Sequence, residues 1–179
     1  MGKGAGTPDA GAYASERYNP NLPHCGALKI TFDGRTLSLS GGTSTYKYKA
    51  VSGRPDNNGG FDYSRARQRL SGIGPIPEGI YWIRPDELWE NAWYRVGPYS
   101  AWGEYRISIH PFTTTETFGR GGFFIHGGDT PGSAGCIDLV KKIKDFIADL
   151  KKELDGKSKC QIHVKVDYSG IRAAAPGQP

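Results

Sequence analysis

The stretch Phe123–Ile137 reads Phe-Phe-Ile-His-Gly-Gly-Asp-Thr-Pro-Gly-Ser-Ala-Gly-Cys-Ile, so His126, Asp129, Ser133 and Cys136 fall within one short segment. A thiol needs a base to become a nucleophile at neutral pH, and imidazole is the usual one. Cys136 is therefore the candidate nucleophile and His126 its candidate base. Asp129 has two readings: it orients the imidazole as the third member of a triad, or it caps the turn Asp129-Thr130-Pro131-Gly132. Ser133 either bonds within the active-site loop or stabilises the same turn. The N–H groups of Gly135 and Cys136 are candidate donors to an oxyanion, and Gly127 and Gly128 let the backbone come close to a substrate. His110, in Ile-Ser-Ile-His-Pro, either lines the same cleft or is structural. A zinc site built from His110, His126, Asp129 and Cys136 has no recognisable ligand spacing, so no metal or other cofactor is expected.

These residues must be held by β-structure. Leu28, Ile30 and Phe32 alternate with polar residues, Asp33-Gly34 turns the chain, and Leu37 and Leu39 alternate again, which predicts a hairpin. Further strands are predicted at 46–51, at 79–84 after the Gly74-Pro75-Ile76-Pro77 turn, at 105–110, at 122–126 and at 161–167. The apolar run at 122–126 predicts burial on both faces. One amphipathic helix is predicted from Leu139, Ile143, Phe146, Ile147, Leu150 and Leu154, with Asp138 as its N-cap and Gly156 as its stop. Cys136 would then lie just before a helix N-terminus, whose dipole favours a thiolate. The polar loop 52–60 is a candidate cover for the site. The fold class is mainly β with one amphipathic helix, in a single domain.

The chain has 179 residues, enough for one domain with a core, and it carries a net charge of +5. Many of its lysines fall on the predicted helix, where they solvate it; the functional reading of the charge is attraction to an anionic polymer. No nucleic-acid motif accompanies the charge, and no apolar stretch is long enough to insert in a membrane. The first twenty residues contain no apolar segment of the kind a secretory signal needs. Residues 1–25 read as a loosely ordered lead-in, 26–170 as the catalytic domain and 171–179 as a tail. Three cysteines leave at least one free thiol. Cys25 and Cys160 either pair in an oxidising compartment or remain as two inert thiols.

His126-Gly127-Gly128 followed by Ser133-Ala134-Gly135-Cys136-Ile137 resembles the active-site motif of the L,D-transpeptidases, the YkuD-type cysteine enzymes of peptidoglycan. The segment Gly74–Tyr81 is similar to the Thr-Pro-x-Gly-x-Phe/Tyr stretch of the same enzymes, and the resemblance covers roughly residues 26–168. Two features depart from the family: Asp138 stands where an Arg is usual, and the loop from His126 to Cys136 is short. Both are similar to a divergent branch among type VI secretion effectors, which are antibacterial toxins with L,D-carboxypeptidase and D-amino-acid exchange activity. The resemblance implies a β-sandwich or barrel with the site at one end of the sheet. It implies the stem peptide of peptidoglycan as substrate, with cleavage of the meso-diaminopimelate–D-Ala bond of a tetrapeptide by Cys136. Arg106 or Arg120 becomes the candidate to hold a substrate carboxylate. The effector branch also implies delivery without a signal peptide, action in the periplasm of a target bacterium, a secretion-system component and an immunity protein as partners. The other readings are a housekeeping cross-linker, a different cysteine amidase or peptidase of the wall, and a non-catalytic wall-binding module.

Overall fold

The computed structural model of the protein describes residues 19–90 and 105–174. Most of the expected lead-in, and residues 175–179 of the expected tail, lie outside the described residues. The chain forms β1 (His24–Phe32), β2 (Thr36–Ser40), β3 (Tyr46–Lys49), β4 (Val51–Ser52), a short helix α1 (Arg65–Gln68), β5 (Gly79–Ile83), β6 (Trp89–Glu90), β7 (Tyr105–Pro111), β8 (Phe123–His126), β9 (Ile137–Asp138), the helix α2 (Ile143–Leu154), β10 (Gln161–Val166) and α3 (Ser169–Ala174). No helix among the described residues is long and apolar enough to cross a membrane.

The strands form one sheet in the order β3-β2-β1-β10-β5-β7-β8-β9-β4, with β6 paired to β7. The two ends of this path, β3 and β4, are separated in the chain only by Ala50. Segment 46–52 therefore bends from one edge to the other and brings the sheet close to a closed barrel, which removes its exposed edges. The fold is the mainly β single domain expected from the sequence.

The hairpin forms as predicted. Asp33 Oδ1 accepts the N–H groups of Arg35 and Thr36 at 2.9 and 2.7 Å, an Asx-type turn that sets the β1–β2 register. Strand β1 starts at His24, inside the segment read as lead-in, and pairs in parallel with β10. That pairing places Cys25 opposite the start of β10, and Cys25 and Cys160 form a disulfide with a Cα–Cα distance of 5.1 Å. The bridge closes almost the whole domain into one loop, which in the chain-entropy account is worth about 3–5 kcal/mol. Cys25→Ser/Cys160→Ser should lose about that much stability in urea denaturation. An unchanged midpoint and slope would show that the bridge leaves the unfolded chain unrestrained.

The amphipathic helix α2 buries Ile143, Phe146, Ile147, Leu150 and Leu154. It ends as predicted, with Asp155 and Gly156 both at positive φ. Its start differs from the expectation. Asp138 is not the N-cap: it belongs to β9, a 3-10 turn over Val140–Lys142 follows, and α2 begins only at Ile143. Backbone pairing of Ile137–Asp138 with β8 on one side and β4 on the other holds this segment extended. The helix thus begins seven residues after Cys136, and the thiol does not immediately precede its first turn.

Candidate active site

The site is built from three strands. In the antiparallel β7–β8 pair Arg106 faces His126, and in the parallel β8–β9 pair His126 faces Asp138. Side chains alternate along strands and registered partners share a face. One face therefore carries Arg106, Phe124, His126 and Asp138, while Ile107, Ile125 and Ile137 point into the core. Cys136 lies one residue before β9, on the same face as Asp138 and alongside Phe124. Strand spacing puts the Cα atoms of Cys136 and His126 about 8 Å apart. The short apolar strand is buried at every position, as the sequence indicated.

His126 is buried and its Nδ1 lies 2.6 Å from the Gly127 carbonyl oxygen. A carbonyl only accepts, so Nδ1 carries the proton and Nε2 is the basic nitrogen. Burial lowers the imidazole pKa, and the Asp138 carboxylate partly restores it. The ring is thus neutral at pH 7, the form a base requires. Asp138 is fully buried: its Oδ2 accepts the Gly132 N–H at 2.9 Å and its Oδ1 the Val140 N–H at 2.7 Å. Burial raises its pKa, while His126 and the two amides oppose that shift.

Cys136 is the free cysteine. Burial pushes its thiol pKa up to about 12, although the Phe124 N–H favours the thiolate. The expectation of a thiol activated by a helix terminus is therefore corrected: the resting thiol is neutral. Iodoacetamide should alkylate Cys136 in the folded protein roughly a hundredfold or more slower at pH 8 than in the unfolded chain, with the rate still climbing above pH 9. A fast reaction with a plateau at neutral pH would mean that a thiolate–imidazolium pair already exists in the resting protein.

The loop between base and thiol is shaped by backbone contacts. Ser133 Oγ donates to the Cys136 carbonyl at 2.7 Å, and Ser133 N–H donates to the Gly53 carbonyl at 3.0 Å. The latter bond ties the loop to the 52–60 segment, which does lie against it. Gly135 has φ +114°, and a Cβ there would meet Arg120 Nη2 at 2.5 Å, so only glycine fits. At Gly127 a Cβ would come within 2.5 Å of the Val140 carbonyl oxygen and of Ile143 Cγ2; the strand end and the start of α2 approach too closely for any side chain. Gly128 N–H donates to the same carbonyl.

Other sequence candidates lie elsewhere. Asp129 is exposed on the loop, and the acid aligned with His126 is Asp138. Arg120 is buried with its guanidinium donating to the carbonyls of Gln68, Gly74 and Pro75, at 2.5–2.9 Å. Its guanidinium lies beside Gly135 of the thiol loop, and three of its five N–H donors go to these carbonyls. The Gly74–Pro77 turn thus wraps Arg120. His110 stacks on Trp82 and its Nε2 lies 2.9 Å from Glu87 Oε1. It stands four residues along β7 from Arg106, about 13 Å from the level of His126. Arg106 is the cation on the site face, over the Trp89 and Phe124 rings at 4.4 and 5.2 Å. The alignment of Asp138 with His126 was not foreseen from the sequence, where Asp138 stood out as the expected helix N-cap and as the position lacking an Arg. Among the described residues no cluster of three His, Cys, Asp or Glu is disposed to hold a metal ion.

A family profile described as the Tlde1 domain matches residues 47–164, more than half of the chain and all of the strands that carry the site. No curated protein matches the chain significantly.

Proposed function

The chain belongs to the Tlde1 domain family of type VI secretion effectors directed at peptidoglycan, and from that premise we propose that it is a cysteine enzyme of the wall's stem peptides. Its action would fall on the meso-diaminopimelate–D-Ala bond of tetrapeptides in the periplasm of a target cell. The observation that carries this reading is the shared face of His126 on β8, Asp138 on β9 and Cys136 just before β9. In the bound complex, His126 Nε2 takes the thiol proton and the Cys136 sulfur attacks the carbonyl carbon. The C–N bond to D-Ala breaks as His126 returns the proton to the leaving amine, and a thioester remains. The Gly135 and Cys136 amides are the proposed oxyanion donors. The Gly127 carbonyl holds the imidazole and the Asp138 carboxylate stabilises its charged form; Ser133, Gly127 and Gly128 shape the loop. Water then releases the shortened peptide, or a D-amino acid amine takes its place. Binding must provide the driving force for ionisation, because the resting thiol is neutral.

The reaction is tested by incubating purified protein with disaccharide-tetrapeptide, with and without D-Met, and reading product masses. Loss of D-Ala, or its replacement by D-Met, supports the proposal and identifies the acceptor. Intact tetrapeptide in both incubations would overturn it.

A further inference from the structure

A groove of about 680 Å³ lies away from the thiol, between the β1–β2 turn, β3, β4 and residues 61–63. Arg35, Lys47 and Lys49 stand on it, and all three are exposed. The half-buried Phe61 supplies aromatic surface, and the buried Tyr63 closes the groove beneath it. Asp145 and Asp149 of α2 line a neighbouring groove that Lys47 and Lys49 also border, and these two carboxylates are engaged by Lys142 and Tyr48. Asp33, beside the turn, holds the Arg35 and Thr36 amides.

The cations also continue onto the outer face of the sheet. Lys47 is registered with Ser38, Ser38 with Thr31 and Thr31 with Lys165, and Lys29 follows two residues before Thr31. This row from β3 to β10 contains lysines and hydroxyl residues and no carboxylate. At its other end the groove reaches the site strands: Val51 lines the groove and is the register partner of Asp138. From Lys49 to Val51 is two residues, about 7 Å. An extended anion on Lys47 and Lys49 therefore points toward the strand pair that holds Asp138, next to which Cys136 lies.

Resting on the proposed substrate, we infer that this groove is a subsite for the carboxylate-bearing polymer beyond the reacting stem, the free carboxylates of neighbouring stem peptides in the peptidoglycan sacculus. Cations that face such a polymer hold it by long-range attraction, weakened by salt, while the Phe61 ring offers stacking surface to a sugar or peptide plane. The subsite acts on the polymer and leaves a small soluble fragment unaffected.

The test uses Cys136→Ala protein and its Arg35→Glu/Lys47→Glu/Lys49→Glu derivative in co-sedimentation with purified sacculi. The reversed-charge protein should bind at least tenfold more weakly, and sacculi whose carboxyls have been amidated should lose the parent protein to a similar degree. Equal binding by both proteins, or undiminished binding to amidated sacculi, overturns the subsite. The same triple substitution in the Cys136 protein should leave turnover of disaccharide-tetrapeptide within about twofold while slowing release of D-Ala from sacculi. Slowing of both alike would overturn it too. Because sedimentation needs no turnover, a failure of the proposed reaction is told apart from a failure of the subsite.

Discussion

Cys136→Ala is expected to reduce D-Ala release from disaccharide-tetrapeptide by roughly 10³-fold or more, to background. In the proposed reaction the sulfur forms the covalent bond to the acyl group, and no other described cysteine can replace it, since Cys25 and Cys160 are joined. The substitution removes one buried sulfur atom and should keep the fold, which an unchanged circular dichroism spectrum checks. His126→Ala should be equally inactive. The two losses should not add in the double variant, because base and nucleophile work as one unit. A Cys136→Ala protein that still released D-Ala would place the chemistry on another group.

Asp138→Asn is expected to lower kcat/KM by roughly 10²–10⁴-fold, whereas Asp129→Asn should change it by less than about twofold. The contrast rests on register: His126 faces Asp138 across β8–β9, while Asp129 is on the exposed loop. The Asp138 carboxylate raises the His126 pKa against burial. Removing its charge must therefore lower that pKa further, and the acid limb of the kcat/KM profile should move to lower pH. A merely structural role would reduce the rate without moving the limb. Asparagine also replaces one acceptor oxygen with an amide, so one of the Gly132 and Val140 bonds is lost at about 1–3 kcal/mol. Stability measured alongside separates that cost from the kinetic effect. Equal losses from Asp129→Asn and Asp138→Asn would remove the special position assigned to Asp138.

The sequence by itself determined much of the local structure. Alternation in Leu28–Leu39 together with Asp33-Gly34 specified the hairpin, because strand period and turn chemistry are both local properties. The spacing from Ile143 to Leu154 specified an amphipathic helix for the same reason. Cys136 and His126 were legible as candidates because nucleophile and base lie on one glycine-rich loop. What only the tertiary structure decided depends on partners distant in the chain. Whether Cys25 and Cys160 pair follows from the parallel alignment of the first and last strands, which no local pattern encodes. The start of α2 moved from Leu139 to Ile143 because pairing with β8 and β4 held Asp138 extended. That same pairing set Asp138 opposite His126. Arg120 came to lie buried beside the thiol loop because folding brought the carbonyls of Gln68, Gly74 and Pro75 around it. The neutral state of Cys136 is likewise a product of packing: a loop thiol read as activated is pushed toward its neutral form when strands exclude water from it.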